Sequence, residues 1–415
     1  MTAGPVSVRS YLVVTLGYWA LTLTDGALRM LVLLHFHALG YSPFQLALLF
    51  VLYEVLGAVT NLLGGVVAAR LGLKVTLVAG LALQVGALLM LSGLGSGWSV
   101  AAQVTYVFAA QGVSGVAKDL TKLSAKSAIK LVVVDDERGA LFKWVAVLTG
   151  SKNALKGIGF FAGGALLAAV GFESSLLGMA AFVGGAAALT LVALPTHLGR
   201  AKSSVGLGGV FSKSRGVNIL SGSRVFLFGA RDVWFVVALP VFLYDSLGWG
   251  MAEVSATMAA WVVGYGGVQA LAPKLAKAPV GGDHARAAQR WGVALALSAF
   301  SIVVALHTSL PTSVAVLGGL AIFGALFAVN SSLHSYLILA HTDADQVAAN
   351  VGFYYMANAI GRLVGTLLSG AVCQLAGLDG CLLTAGVMLL FAAGLTRWLP
   401  ILDAPRADTP ASGAA

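Results

Sequence analysis

Charged residues spaced at about one helical turn recur in otherwise apolar stretches, and most of them are basic. GYWALTLTDGALRMLVLLHFH holds Asp25 and Arg29 four apart, a spacing that puts both on one face of a helix. KDLTKLSAKSAIK repeats lysine at positions 118, 122, 126 and 130. KWVAVLTGSKNALKGIGFF carries Lys152, Asn153 and Lys156, GARDVWFVVALPV carries Arg231 and Asp232 with Arg224 two turns before them, and NAIGRLVG carries Arg362. Guanidinium and ammonium groups suit oxyanions, and arginine can bind phosphate-like oxygens in a bidentate way. Asn330, Ser331, His334, Tyr354, Tyr355 and Asn358 add neutral hydrogen-bonding groups that serve either a ligand or a neighbouring helix. His35 and His37 stand two apart, on different helix faces, with no cysteine or carboxylate nearby, so no metal site is read. The pattern points to anion binding, with no catalytic set and no cofactor.

The elements that must position these groups follow from composition. Of 415 residues 59% are hydrophobic and 10% charged, and mean hydropathy is +0.91, which excludes ordinary soluble domains. Apolar runs fall at 12–36, 45–68, 75–91, 99–123, 141–170, 174–194, 219–244, 254–271, 293–308, 313–340, 350–375 and 381–399. A helix of roughly 20 residues crosses a hydrocarbon core of about 30 Å, so about twelve membrane spans are expected. The first run is longer than a signal-peptide core and lacks a small-residue cleavage site, so it is expected to stay as a helix. Fifty-two glycines suit helices packed closely in lipid. Cys373 and Cys381 alone imply no disulfide framework.

Basic residues set orientation. With the N-terminus inside, inner loops carry Arg70, Lys74, Arg138, Arg200, Lys202, Lys213, Arg215, Lys274, Lys277, Arg286 and Arg290. Outer loops carry only acids such as Glu173, Asp245, Glu253 and Asp379. The formal charge of +9 is thus a topology signal that requires no nucleic-acid partner. The expected location is the lipid bilayer of a bacterial inner membrane, with both termini cytoplasmic. The basic inner loop THLGRAKSSVGLGGVFSKSRGVN divides the spans six and six. This gives an N-terminal bundle over 1–195, a linker over 196–218, a C-terminal bundle over 219–400 and a tail over 401–415. Between the second and third spans, GGVVAARLGLK resembles the loop motif G-x-x-x-D-R-x-G-R-K of the major facilitator superfamily at Gly65, Arg70, Gly72 and Lys74. Ala69 replaces its Asp and Leu73 an Arg, so two of the motif's charges are missing from this loop. The resemblance implies an all-α membrane protein of two pseudo-symmetric six-helix bundles that rock about a midplane site.

At membrane depth each ionisable group costs a few kcal/mol, so it marks either a binding site or an internal ion pair. Arg29, Lys118, Lys152, Lys156, Arg224, Arg231 and Arg362 outnumber Asp25, Glu54, Asp119 and Asp232 by three. Ion pairing cannot neutralise them all, and a cavity for a multiply charged anion follows. Arg29 and Arg231, on symmetry-related spans, are expected to face it from each half. Lys118, about 10 Å from the middle of its span at 1.5 Å per residue, and Lys122 near the hydrocarbon edge would form its lower wall. Lys126 and Lys130 fall beyond the hydrocarbon. The four acids pair internally or carry protons, with Glu54 either a proton carrier or a partner of Arg29.

LTDGALRMLVLLHFHALGYSP, SGVAKDLTKLSAKSAIKLVVVDD, KWVAVLTGSKNALKGIGFFAGGALL, FSKSRGVNILSGSRVFLFGARDVWFVVALPV and GYGGVQALAPK resemble the organoarsenical-efflux transporters called ArsJ. That resemblance implies outward transport of 1-arseno-3-phosphoglycerate, made by a partner glyceraldehyde-3-phosphate dehydrogenase from arsenate and glyceraldehyde 3-phosphate. Two cysteines cannot form a three-thiolate pocket for trivalent arsenic, which agrees with an oxyanion cargo. An organophosphate/phosphate exchanger would share the arginines. A proton-coupled drug exporter would ordinarily want an acidic or aromatic cavity, and a receptor without transport would have no use for buried charge.

Overall fold

The computed structural model describes residues 8–95, 97–132, 138–195, 214–276, 284–341 and 347–400. The linker to residue 213, Lys277 and the tail from 401 lie outside the described residues, as do the side chains of Arg70, Lys126, Lys130, Arg138 and Lys274. The chain folds as α1 Val8–Ala38, α2 Pro43–Leu48, α3 Val51–Leu71, α4 Leu73–Ser92, α5 Val100–Val132, α6 Arg138–Val170 and α7 Phe172–Ala193. It continues as α8 Arg215–Phe235, α9 Ala238–Asp245, α10 Met251–Leu275, α11 His284–Leu306, α12 Thr312–Ala340 and α13 Val347–Thr396.

Every expected span is helical, with three departures in continuity. The span 45–68 is split into α2 and α3. Ser42 and Gln45 form a capping box at the start of α2, with Pro43 in the first turn. The span 219–244 is split into α8 and α9 because Pro240 cannot donate to the carbonyl of residue 236 and crowds it. At the break the amides of Val237 and Ala238 donate to the buried Ser369 Oγ, each at 3.2 Å. Conversely, the last two spans join in α13, which breaks only at Gly377, where φ of +61° favours glycine.

Nine helical stretches among the described residues are long and apolar enough to cross a membrane. α1 is not among them, because Asp25, Arg29 and several threonines dilute it. Thr22 and Thr24 turn their hydroxyls back onto the carbonyls of Tyr18 and Ala20, at 2.7 and 3.0 Å, so these polar groups do not face lipid unpaired.

α1 packs on α5, α6 and α7, and α5 packs on α3 and α4; among the later helices α8 and α11 pack on α13, and α12 packs on α10 and α11. The two groups meet where α6 lies on α10 and where α2 and α3 lie on α13. Two glycine pairs at four-residue spacing bring charged helices together. Gly159 and Gly163 of α6 lie against the backbone of α1 at Leu23 and Ala27. Gly361 and Gly365 of α13 lie against α8, where a methyl on Gly365 would stand 2.6 Å from the Gly229 carbonyl oxygen and 2.8 Å from Asp232 Cβ. At the end bearing the α1–α2 turn, His37 Nε2 meets Asp245 Oδ1 at 2.9 Å and ties α1 to α9.

Candidate functional site

The midline charges converge on a chain of ion pairs that crosses between the two helix groups. Arg29 of α1 donates to Glu54 of α3 at 2.9 Å, and Arg362 of α13 donates to the same Glu54 oxygen. Arg362 Nε lies 3.5 Å from Asp232 of α8, whose other oxygen takes Arg231 at 2.5 Å. Three arginines therefore share two carboxylates. The close approaches at Gly159 and Gly365 make this convergence possible. Asp25 does not pair with Arg29 one turn away; it accepts the Tyr53 hydroxyl at 2.6 Å.

Toward the far end of α5 a second cluster forms. Asp119 takes Lys122 at 2.6 Å and Lys118 at 3.7 Å, and Lys122 also donates to Asn61 Oδ1 at 2.6 Å. Lys118 lies 3.9 Å from the centre of the Tyr53 ring, so this tyrosine joins the lysine cluster to Asp25 and to Arg29, which is 5.4 Å from the same ring. A methyl at Gly57 would stand 2.8 Å from Asp119 Oδ2, so α3 must be bare there.

Burial separates the two signs of charge. The side chains of Glu54, Asp119 and Asp232 are only 1–2% exposed, whereas those of Arg29, Lys118, Lys122, Arg231 and Arg362 are 12–19% exposed. In each pair the acid is therefore the more deeply buried member.

Two of the expected site cations, Lys156 and Arg224, have no carboxylate among the described residues. Lys156, one turn beyond the half-buried Lys152 on α6, lies 5.4 Å from the Phe160 ring and forms no ion pair with them. Arg224 of α8 is buried, donating from Nε to Asn358 Oδ1 at 3.1 Å and from Nη1 to the Ser331 carbonyl at 3.2 Å. Its guanidinium carbon lies 3.9 Å from the Phe228 ring centre and 4.8 Å from that of Tyr354.

Other expected residues divide by what they touch. Asn153 spends its amide on Gln269, at 3.3 Å, in the α6–α10 contact. Asn330 and His334 stand one turn apart on α12, both buried, with Asn330 Oδ1 and His334 Nδ1 lacking a partner among the described residues. Tyr354, not its neighbour Tyr355, lies against Arg224, because adjacent residues of a helix point about 100° apart. Among the described residues no group of three histidine, cysteine or acidic side chains is arranged for a metal.

Tyr53, Phe228 and Asn61 escaped the sequence reading. Phe228 had a legible signal, since it falls between Arg224 and Arg231 at helical spacing on one face. The others depend on partners 28 or more positions away.

A family model described as Major Facilitator Superfamily matches residues 14–277. No curated protein sequence matches the chain. Among solved structures, a D-xylose–proton symporter is similar with a TM-score of 0.73 at 14% identity, covering 95% of this chain and 98% of that one. The human organic anion transporter MFSD10 (TETRAN) is similar at 0.66 and 18%, covering 94% and 99%. A mutant of the nucleoside transporter NupG is similar at 0.69 and 15%, covering 94% and 98%. At these identities the likeness is one of fold.

Proposed function

We propose that this chain, a multi-pass membrane transporter belonging to the major facilitator superfamily and not an enzyme, exports an organic arsenical polyanion, 1-arseno-3-phosphoglycerate, from the cytoplasm. The observation that carries the reading is the balance of charge: basic side chains converge in excess over acids, and the acids are the more deeply buried members of the pairs. Setting Lys152 aside, seven basic groups at the site (Arg29, Lys118, Lys122, Lys156, Arg224, Arg231, Arg362) face four acids (Asp25, Glu54, Asp119, Asp232). A polyanion supplies the missing negative charge and relieves the cost of holding cations away from water.

The substrate choice rests on the segments that resemble organoarsenical exporters, because these same segments furnish Arg29, Lys118, Lys156, Arg224 and Arg231. With the N-terminus inside, as the basic loops indicate, export of each negative charge from an inside-negative cell gains about 2.3 kcal/mol per 100 mV. Efflux of a polyanion is then downhill in the membrane potential without a coupled proton.

Everted vesicles containing the protein test the reading when supplied with arsenate, glyceraldehyde 3-phosphate, NAD and the dehydrogenase. Arsenic uptake should require all four. Uptake of free arsenate without the dehydrogenase would overturn the assignment, and strict dependence on phosphate counterflow would make the protein an organophosphate/phosphate exchanger.

A further inference from the structure

Phe228 stands between two arginines that differ in one respect. Arg231, on one side, belongs to the ion-pair chain and has Asp232 at 2.5 Å. Arg224, two turns away on the same face of α8, is 6% exposed and has no carboxylate partner among the described residues. Of its five N–H donors, the Nε and one on Nη1 are used, both on neutral oxygens. A guanidinium cannot shed its charge, so burying it beside neutral groups alone is costly. Its two aromatic walls, Phe228 and Tyr354, hold the plane in place while leaving the remaining donors unassigned.

The separation of the two guanidinium groups is bounded. Arg224 Cζ lies 3.9 Å and Arg231 Cζ 4.8 Å from the Phe228 ring centre, so the two carbons are at most 8.7 Å apart, the sum of those distances. A gap no longer than that can be bridged by one small molecule with an oxyanion at each end of a short carbon chain. Arg29, Arg231 and Arg362 converge on shared carboxylates, so they gather at one end of such a molecule and do not divide between its two ends.

We propose that Arg224, held by Asn358, the Ser331 carbonyl and the Phe228 and Tyr354 rings, is a second anion subsite that selects two-headed oxyanions over those with a single charged end. This deepens the anion-transport reading and rests on it. The arginine chain receives one head, and Arg224 receives the other.

The test uses the full-length protein purified in detergent, with propane-1,3-diyl bisphosphate and propyl phosphate as probes that differ by one phosphate. Calorimetry should show the bisphosphate binding about tenfold tighter or more, as expected for an added charge-assisted bidentate contact. In Arg224→Gln that preference should collapse towards one while propyl phosphate binds as before. If Arg224→Gln does not fold, Arg224→Lys keeps the charge and should lose most of the preference, because a point charge replaces a planar fork. An unchanged preference in the folded variant, or an equal loss for both probes, overturns the subsite. Wild-type protein that binds both probes equally also overturns it and leaves anion transport standing, whereas failure to bind either probe defeats the transport reading itself.

Discussion

Replacing Glu54 by Gln should make the empty transporter less stable and its grip on anions tighter. Glu54 is 2% exposed and is the carboxylate shared by Arg29 and Arg362; among the described residues Arg29 has no other. Charges about 4 Å apart attract by about 4 kcal/mol at an effective dielectric of 20. Breaking a buried pair by removing one partner typically costs about 3–5 kcal/mol. Because the two arginine side chains are 12% and 19% exposed, water offsets part of that cost, and a net loss of about 2 kcal/mol is expected. The same term enters binding with opposite sign, since a ligand oxyanion no longer competes with Glu54 for Arg29; about 2 kcal/mol corresponds to about thirtyfold in affinity. Denaturant unfolding of the detergent-purified variant, with and without propyl phosphate, measures both. Stability and affinity both equal to wild type would refute the idea that Glu54 neutralises the arginines until an anion arrives.

Arg29→Lys and Arg231→Lys should each reduce ester export by roughly tenfold or more at normal membrane abundance, because lysine cannot reproduce a bidentate contact; vesicle uptake at the wild-type rate would remove these residues from the site. Lys156→Gln should weaken transport yet leave the apo protein as stable or more so, since Lys156 has no ion pair to lose among the described residues; melting temperature and uptake from one preparation decide it, and a marked stability loss would make Lys156 structural. Gly365→Leu should cost about 1–3 kcal/mol or more through overpacking by pushing α13 from α8, where even a methyl would come within 2.6 Å of a backbone oxygen. A folded Gly365→Leu protein with unaltered export would show that the Arg362–Asp232 contact is dispensable.

The elements were legible in the sequence because lipid leaves the backbone little choice. With no water to satisfy amides, each apolar run of sufficient length must be a helix, and the runs alone predicted helices where α1 to α13 are found. The excess of basic groups was also legible, since charge is too costly in lipid to be incidental. Pairing was legible only in part. Glu54 was one reading for the partner of Arg29, but the four-residue spacing of Asp25 and Arg29 also suggested a pair, and the tertiary fold gives Asp25 to Tyr53 and Arg29 to Glu54. Arg362 and Glu54 are 308 positions apart, and they meet because glycines let α13 lie close on α8 while α3 packs on α13. Sequence spacing reports only which groups share a helix face. Which of the expected site cations stand without a carboxylate among the described residues, Lys156 and Arg224, depends on distances between helices, and electrostatic energy falls with those distances and not with separation along the chain.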